Sequence, residues 1–73
     1  MAKREYKKKY PEMVNLRLMR ARRGYTLSKL AELSGVTNDM ISQYERGYHK
    51  PHAVTLAKLA KALECDVAEI VEG

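Results

Sequence analysis

The sequence has no tryptophan, no phenylalanine and a single cysteine among its 73 residues. A disulfide framework needs paired cysteines, and Cys65 has no partner in the sequence. Lys or Arg interrupts every apolar run before it reaches the ~20 residues of a membrane-spanning helix. The first ten residues are charged instead of apolar, so we expect no secretory signal there. These absences exclude disulfide-stabilised and membrane-spanning classes, and they favour a reduced, cytoplasmic compartment.

Residues that could carry catalysis or hold a metal ion are sparse. His49 and His52 flank a proline but have no plausible nucleophile to pair with, and the sequence contains no glycine-rich phosphate loop. With Cys65 they give three candidate ligands at irregular spacing and no CxxC motif. We therefore predict no enzyme activity, no metal site and no cofactor.

Positive charge is concentrated toward the N-terminus. The chain carries 14 Lys and Arg against 9 Asp and Glu, a net charge of +5. Residues 1–10 hold five Lys or Arg and one Glu, whereas residues 51–73 hold two Lys and four acidic residues. This asymmetry favours a polyanionic partner for the basic part, and the alternative is a solvated surface with a disordered cationic tail. We predict a flexible basic arm over residues 1–10 and one domain over residues 11–73.

Apolar spacing and turn residues predict five short helices and no strand. The first helix is expected to begin at Pro11, because proline suits the first turn, and to end at Gly24. Thr26 and Thr37 are suited to cap the second and third helices, because their hydroxyls can accept orphan backbone N–H groups. Gly35 supplies the turn between these two helices.

The last two helices are predicted over about residues 53–63 and 67–72. Pro51 prevents helix continuation before the first of them, and Asp66 and Glu69 have the spacing of a capping box before the second. The fourth helix is expected to bury a Leu/Ala stripe made of Leu56, Leu59, Ala60 and Leu63. In the fifth helix, Val67 and Ile70 are expected to point inward.

The third helix, predicted over residues 38–46, is too polar to be explained by core packing alone. Its outward side chains are amides, a hydroxyl and a carboxylate. Amides can bond adenine bidentately, hydroxyls can contact several base edges, and a carboxylate can accept from cytosine N4. A threonine cap at the positive end of the helix suits a nearby phosphate. Two short helices joined by a Gly-Val-Thr turn have the arrangement of a helix-turn-helix, whose second helix lies in the major groove.

An ordered set of motifs extends this pattern over most of the chain: Leu16-x-x-Met19-Arg20, Gly24-Tyr25-Thr26, Leu30-Ala31, Ser34-Gly35-Val36-Thr37, Ile41-Ser42-x-x-Glu45-x-Gly47, Pro51 and Leu56-x-x-Leu59-Ala60-x-x-Leu63. From Leu16 to about Ile70 the sequence resembles the Cro/cI-type (XRE-like) helix-turn-helix family of bacterial and phage transcription regulators. The resemblance implies an all-α, compact five-helix bundle of the lambda-repressor type, with the helix-turn-helix at helices 2 and 3.

The resemblance also implies roles for single residues. Base edges are expected to be contacted by the outward face of the third helix, made of Asn38, Asp39, Ser42 and Gln43. Phosphates are expected to be contacted by the helix cap and by the segment after the helix, through Thr37, Arg46, Tyr48 and Lys50. Arg20 and Glu45 match a partly buried ion pair that ties the first helix to the third.

The function that these features predict is sequence-specific binding of double-stranded DNA by a transcription regulator, expected to be a repressor. One recognition helix covers too few base pairs for a genome, so we expect a homodimer on a pseudo-palindromic operator, without a small-molecule ligand. The dimer interface is predicted at Val67, Ile70 and Val71. The alternative is an antitoxin or adaptor whose main partner is another protein. Leu27, where the family often has Gln, and the negative charge of Asp39 favour it slightly.

Overall fold

A computed structural model describes residues 8–71 of the chain. These residues form five helices, which are α1 (Val14–Arg22), α2 (Leu27–Ser34), α3 (Asn38–Arg46), α4 (Ala53–Leu63) and α5 (Val67–Val71). No strand occurs within residues 8–71, which confirms the predicted all-α class. Of the helices in this part of the chain, none combines the length and the apolar character that a bilayer crossing demands.

The segment before α1 differs from the prediction. The helix begins at Val14 and not at Pro11, because the preceding backbone is held elsewhere. The N–H groups of Lys9 and Tyr10 both donate to the Gly47 carbonyl oxygen, at 3.1 and 3.0 Å. These two hydrogen bonds hold residues 9–10 against the turn that follows α3. The folded unit therefore reaches back to Lys9, two residues into the predicted arm. Lys8 pairs with Glu12, and residues 1–7 of the predicted arm lie outside the described residues.

The two predicted threonine caps are confirmed. Thr26 Oγ1 accepts from the backbone N–H of Lys29 at 3.0 Å, and Thr37 Oγ1 accepts from that of Met40 at 3.3 Å. Gly35 ends α2 in the left-handed region with φ of +79°. A cap at the start of each helix and a glycine between them fix the angle at which the chain enters α3.

The core takes side chains from every helix. Its fully buried members are Leu16, Leu30, Ile41, Leu59, Leu63 and Ile70. α2 packs on α3 and α4, while α1 packs on α5 and α3. The prediction that Val67 points inward is wrong, since its side chain is 37% exposed. Ile70 fills the inner side of this five-residue helix. The bundle therefore covers one side of α3 and leaves the other side exposed.

Candidate nucleic-acid interface

α3 has one buried and one uncovered side. Ile41 and Tyr44 are buried in the core, and Glu45 is only 5% exposed. Asn38, Asp39, Ser42 and Gln43 form a second stripe at helical spacing, which we call the polar face of α3. The first two of these side chains are exposed and the other two are half-buried. The polar face is therefore open to a ligand and is not sealed beneath other parts of the described chain.

Hydrogen bonds organise the polar face. Gln43 Nε2 donates to Asp39 Oδ2 at 2.9 Å, one turn away along α3. Asn38 Nδ2 donates to Ser28 Oγ at 3.2 Å, and this bond joins the start of α3 to α2. Neither contact was predicted from the sequence. The i, i+4 spacing of Asp39 and Gln43 could have indicated the bond between these two side chains. No local sequence pattern indicated the bond between Asn38 and Ser28.

The helix that carries this face is anchored by a charged pair. Arg20 Nε donates to Glu45 Oε2 at 2.8 Å and Arg20 Nη2 donates to Glu45 Oε1 at 3.1 Å, so the contact is bidentate. Arg20 Nη1 also donates to the Tyr25 carbonyl at 3.0 Å. The hydrogen bond with Glu45 raises the pKa of Arg20, against the opposite effect of burial. The Arg20–Glu45 pair thus joins α1, α3 and the turn before α2.

A second arginine lies beside the same carboxylate. Arg17 Nε is 3.7 Å from Glu45 Oε1, but the Arg17 side chain is 48% exposed. Its longer distance and its contact with solvent make it a weak partner of Glu45. This contact was not predicted from the sequence.

The residues expected at phosphates lie at both ends of the polar face. Thr37 caps the start of α3. Arg46 and Lys50 are exposed at and beyond its end, and Tyr48 is half-buried between them. The Tyr48 N–H donates to the Gln43 carbonyl at 2.9 Å, which holds the first residue after Gly47 against the helix. Hydrogen-bond donors and positive charges therefore flank the polar face.

Gly47 sets the path of the chain after α3. It has φ of +88°, and a Cβ there would collide with the Tyr10 carbonyl oxygen. Only glycine fits both the left-handed backbone and this close approach. The turn that carries Tyr48 and Lys50 is consequently held by α3 on one side and by residues 9–10 on the other.

The predicted dimer residues divide into two groups. Ile70 is 1% exposed, so its side chain belongs to the core of one chain and offers no surface to a second. Val67 and Val71 are 37% and 49% exposed. An apolar groove of about 610 Å³ lies beside Val71 and is lined among others by Tyr10, Val14 and Lys50. The large apolar side chains that α5 exposes are therefore its two valines.

Cys65, His49 and His52 were the candidate metal ligands of the sequence. Burial raises the pKa of the Cys65 thiol, which disfavours the reactive thiolate. Within residues 8–71, no three His, Cys, Asp or Glu side chains cluster in a way that could hold a metal ion.

The fold and the polar face together define a helix-turn-helix domain. The helix-turn-helix family HTH_3 matches residues 16–70, which is most of the chain. The protein therefore belongs to this family, which is of the Cro/cI (XRE) type, and the resemblance inferred from the sequence motifs is confirmed. Among its relatives is SlrR of Bacillus subtilis strain 168, an HTH-type transcriptional regulator. The two are 38% identical over 59 residues, which are 80% of this chain and 39% of SlrR. The chain thus spans about two fifths of the length of that relative.

Solved structures of similar chains have the same architecture. The restriction-modification controller protein C.AhdI from Aeromonas hydrophila has a TM-score of 0.75 at 33% identity, over 78% of this chain and 83% of C.AhdI. The P22 c2 repressor, solved in complex with synthetic operator 9T, has a TM-score of 0.78 at 31% identity, over 86% of this chain and 97% of that one. The predicted lambda-repressor-like fold is confirmed.

Proposed function

We propose that this chain is a sequence-specific, double-stranded DNA-binding transcription regulator that acts as a repressor. The observation that carries the proposal is the uncovered polar face of α3, with amides, a hydroxyl and a carboxylate along one stripe. These groups match the donors and acceptors that base edges present in the major groove. The P22 c2 repressor, a structural neighbour, was solved on operator DNA, and this supports the proposal.

In the proposed complex, α3 lies in the major groove and its two ends meet the phosphates. Asn38, Asp39, Ser42 and Gln43 face base edges. The phosphates are contacted by Thr37 at the start of α3 and, beyond its end, by Arg46, Tyr48 and Lys50. Arg46 and Lys50 supply the sequence-independent attraction, because each neutralised phosphate releases counterions. The Arg20–Glu45 pair does not touch DNA in this arrangement. It holds α3 at the correct angle instead.

A homodimer completes the proposal. A single recognition helix reads too few base pairs to select a site in a genome. Two copies related by a two-fold axis would place their α3 helices about 34–36 Å apart on a pseudo-palindromic operator. Val67 and Val71 supply the proposed apolar contact between the copies, and Ile70 is omitted from the contact because it is buried.

Two observations weaken the alternative of an antitoxin or adaptor whose main partner is a protein. Leu27 is half-buried and packs against the core of its own chain, which gives this leucine a structural role without a protein partner. Asp39 is hydrogen-bonded to Gln43, which gives its charge a role within the polar face.

The test is selection of bound duplexes from a random-sequence pool, followed by affinity measurements on the selected site. We expect the selected duplexes to contain two copies of one half-site motif, related by two-fold symmetry. Gln43→Ala is expected to relax the preference at one or two positions of each half-site, at a cost of about 1–3 kcal/mol. Lys50→Ala is the control, since loss of a phosphate contact weakens all sequences alike. A pool that yields no motif would contradict the proposal.

A further inference from the structure

Asp39 and Gln43 are joined by a hydrogen bond on the polar face. This bond determines which atoms of the Gln43 amide remain available for contact with a base. They lie one helical turn apart on α3, and Gln43 Nε2 donates to Asp39 Oδ2 at 2.9 Å. Asp39 is exposed and Gln43 is half-buried, so both reach the uncovered surface of the helix. The bond therefore lies where the proposed function puts DNA, and any role of the pair in base recognition rests on that function.

The chemistry of the pair fixes the orientation of the Gln43 amide. An ionised carboxylate accepts hydrogen bonds and cannot donate them, whereas an amide has a donating nitrogen end and an accepting oxygen end. The nitrogen end of Gln43 must therefore face Asp39, and the Oε1 atom must face away from it. Asn38 provides a contrast, because its partner Ser28 is a hydroxyl that can donate or accept and so leaves the orientation of the amide undetermined.

The oriented pair presents mainly acceptors. Gln43 Oε1 and the second carboxylate oxygen of Asp39 are both free of the bond that joins the two residues. In the major groove, adenine N6 and cytosine N4 are exocyclic amino donors, whereas guanine O6 and thymine O4 are keto acceptors at the corresponding positions, and both purines also present N7 as an acceptor. An acceptor surface with a full negative charge bonds the amino bases and repels the keto oxygens.

We infer that Asp39 and Gln43 act as one unit that selects an amino-bearing base, adenine or cytosine, on the strand that they contact. Asp39 is a specificity-determining residue in two ways. It orients Gln43 and it excludes guanine and thymine by repulsion, so the negative charge near the phosphates has a function in discrimination.

The experiment compares wild type with Asp39→Asn on a selected operator and on operators changed at each half-site position. The Asn side chain has the same size but can donate, and it no longer fixes the Gln43 amide. We expect one position at which wild type prefers adenine or cytosine over guanine or thymine by about tenfold or more. In Asp39→Asn this preference should fall to about twofold. The affinity for operators that carry guanine or thymine at that position should rise.

A double-mutant cycle with Gln43→Ala tests whether the two residues act together. If they form one unit, both single changes relax the same base position and their effects on the amino-to-keto preference do not add. Far-ultraviolet circular dichroism of each variant verifies that the helices are retained. A preference for guanine or thymine at that position, an unchanged preference in Asp39→Asn, or additive effects at separate positions would overturn the inference. A wild-type protein that selects no motif at all would overturn the proposed function instead.

Discussion

Glu45 is the residue on which the position of α3 depends most directly. Glu45 is 5% exposed, and its carboxylate is paired bidentately with Arg20. A carboxylate buried to this degree is tolerated because two N–H groups satisfy it. If the partner is removed, the charge remains buried without compensation, and this costs far more than the loss of an exposed ion pair.

Arg20→Ala should therefore destabilise the protein by about 3 kcal/mol, at the lower end of the range for broken buried pairs. The matched control is Arg17→Ala, which removes an arginine 3.7 Å from the same carboxylate but 48% exposed, and it should cost about 0–1 kcal/mol. Denaturant unfolding gives both free energies. Equal losses for the two variants would show that Glu45 does not depend on Arg20.

At the scale of helices and turns, the features that local chemistry determines could be predicted from the sequence. Thr26, Thr37 and Gly35 define the helix-turn-helix through capping bonds and one left-handed residue, all of which depend on near neighbours. The start of α1 could not be predicted, because it depends on hydrogen bonds from residues 9–10 to Gly47, which is distant in sequence. The Ser28–Asn38 bond was missed for the same reason, since it joins two helices.

The same turns yield a prediction about glycine. Gly35 and Gly47 both have positive φ, +79° and +88°, but a Cβ at Gly35 would meet nothing within 4 Å. Gly35→Ala should therefore lower the free energy of unfolding only by the cost of holding alanine in the left-handed conformation, about 1–2 kcal/mol. Gly47→Ala should cost more, because its Cβ would collide with the Tyr10 carbonyl and displace residues 9–10.

Thermal or denaturant unfolding of the two variants measures this difference. Gly47→Ala should also weaken binding to DNA of every sequence, since the displaced turn carries Tyr48 and Lys50. Equal stability of the two alanine variants would mean that the contact with residues 9–10 adds nothing to the fold.

At the scale of the whole molecule, apolar surface and charge are distributed unequally. Residues 51–73, which include α5, carry an excess of acidic side chains, whereas the chain before them is basic. Such a distribution orients a protein in the field of a polyanion, with the basic part toward it. In the proposed dimer, the exposed Val71 of α5 lies beside the groove that Tyr10 and Lys50 also line.

Val71→Asp tests that arrangement, because it places a charge in the proposed contact between copies. Sedimentation should show a shift from dimer to monomer, and operator binding should require a higher protein concentration. Leu33→Asp is the control, as it also adds a charge at an exposed apolar residue, 46% exposed, but lies on α2. A dimer that persists in Val71→Asp would place the interface elsewhere.

The attachment of Lys9 and Tyr10 to Gly47 also decides how the protein can be handled. Because these two residues are bonded to the turn at the end of α3, anything joined upstream of Lys9 enters the domain next to the polar face of that helix. A purification tag or a sensor-chip linkage on that side would crowd the surface under study, and a positively charged tag would attract nucleic acid by itself.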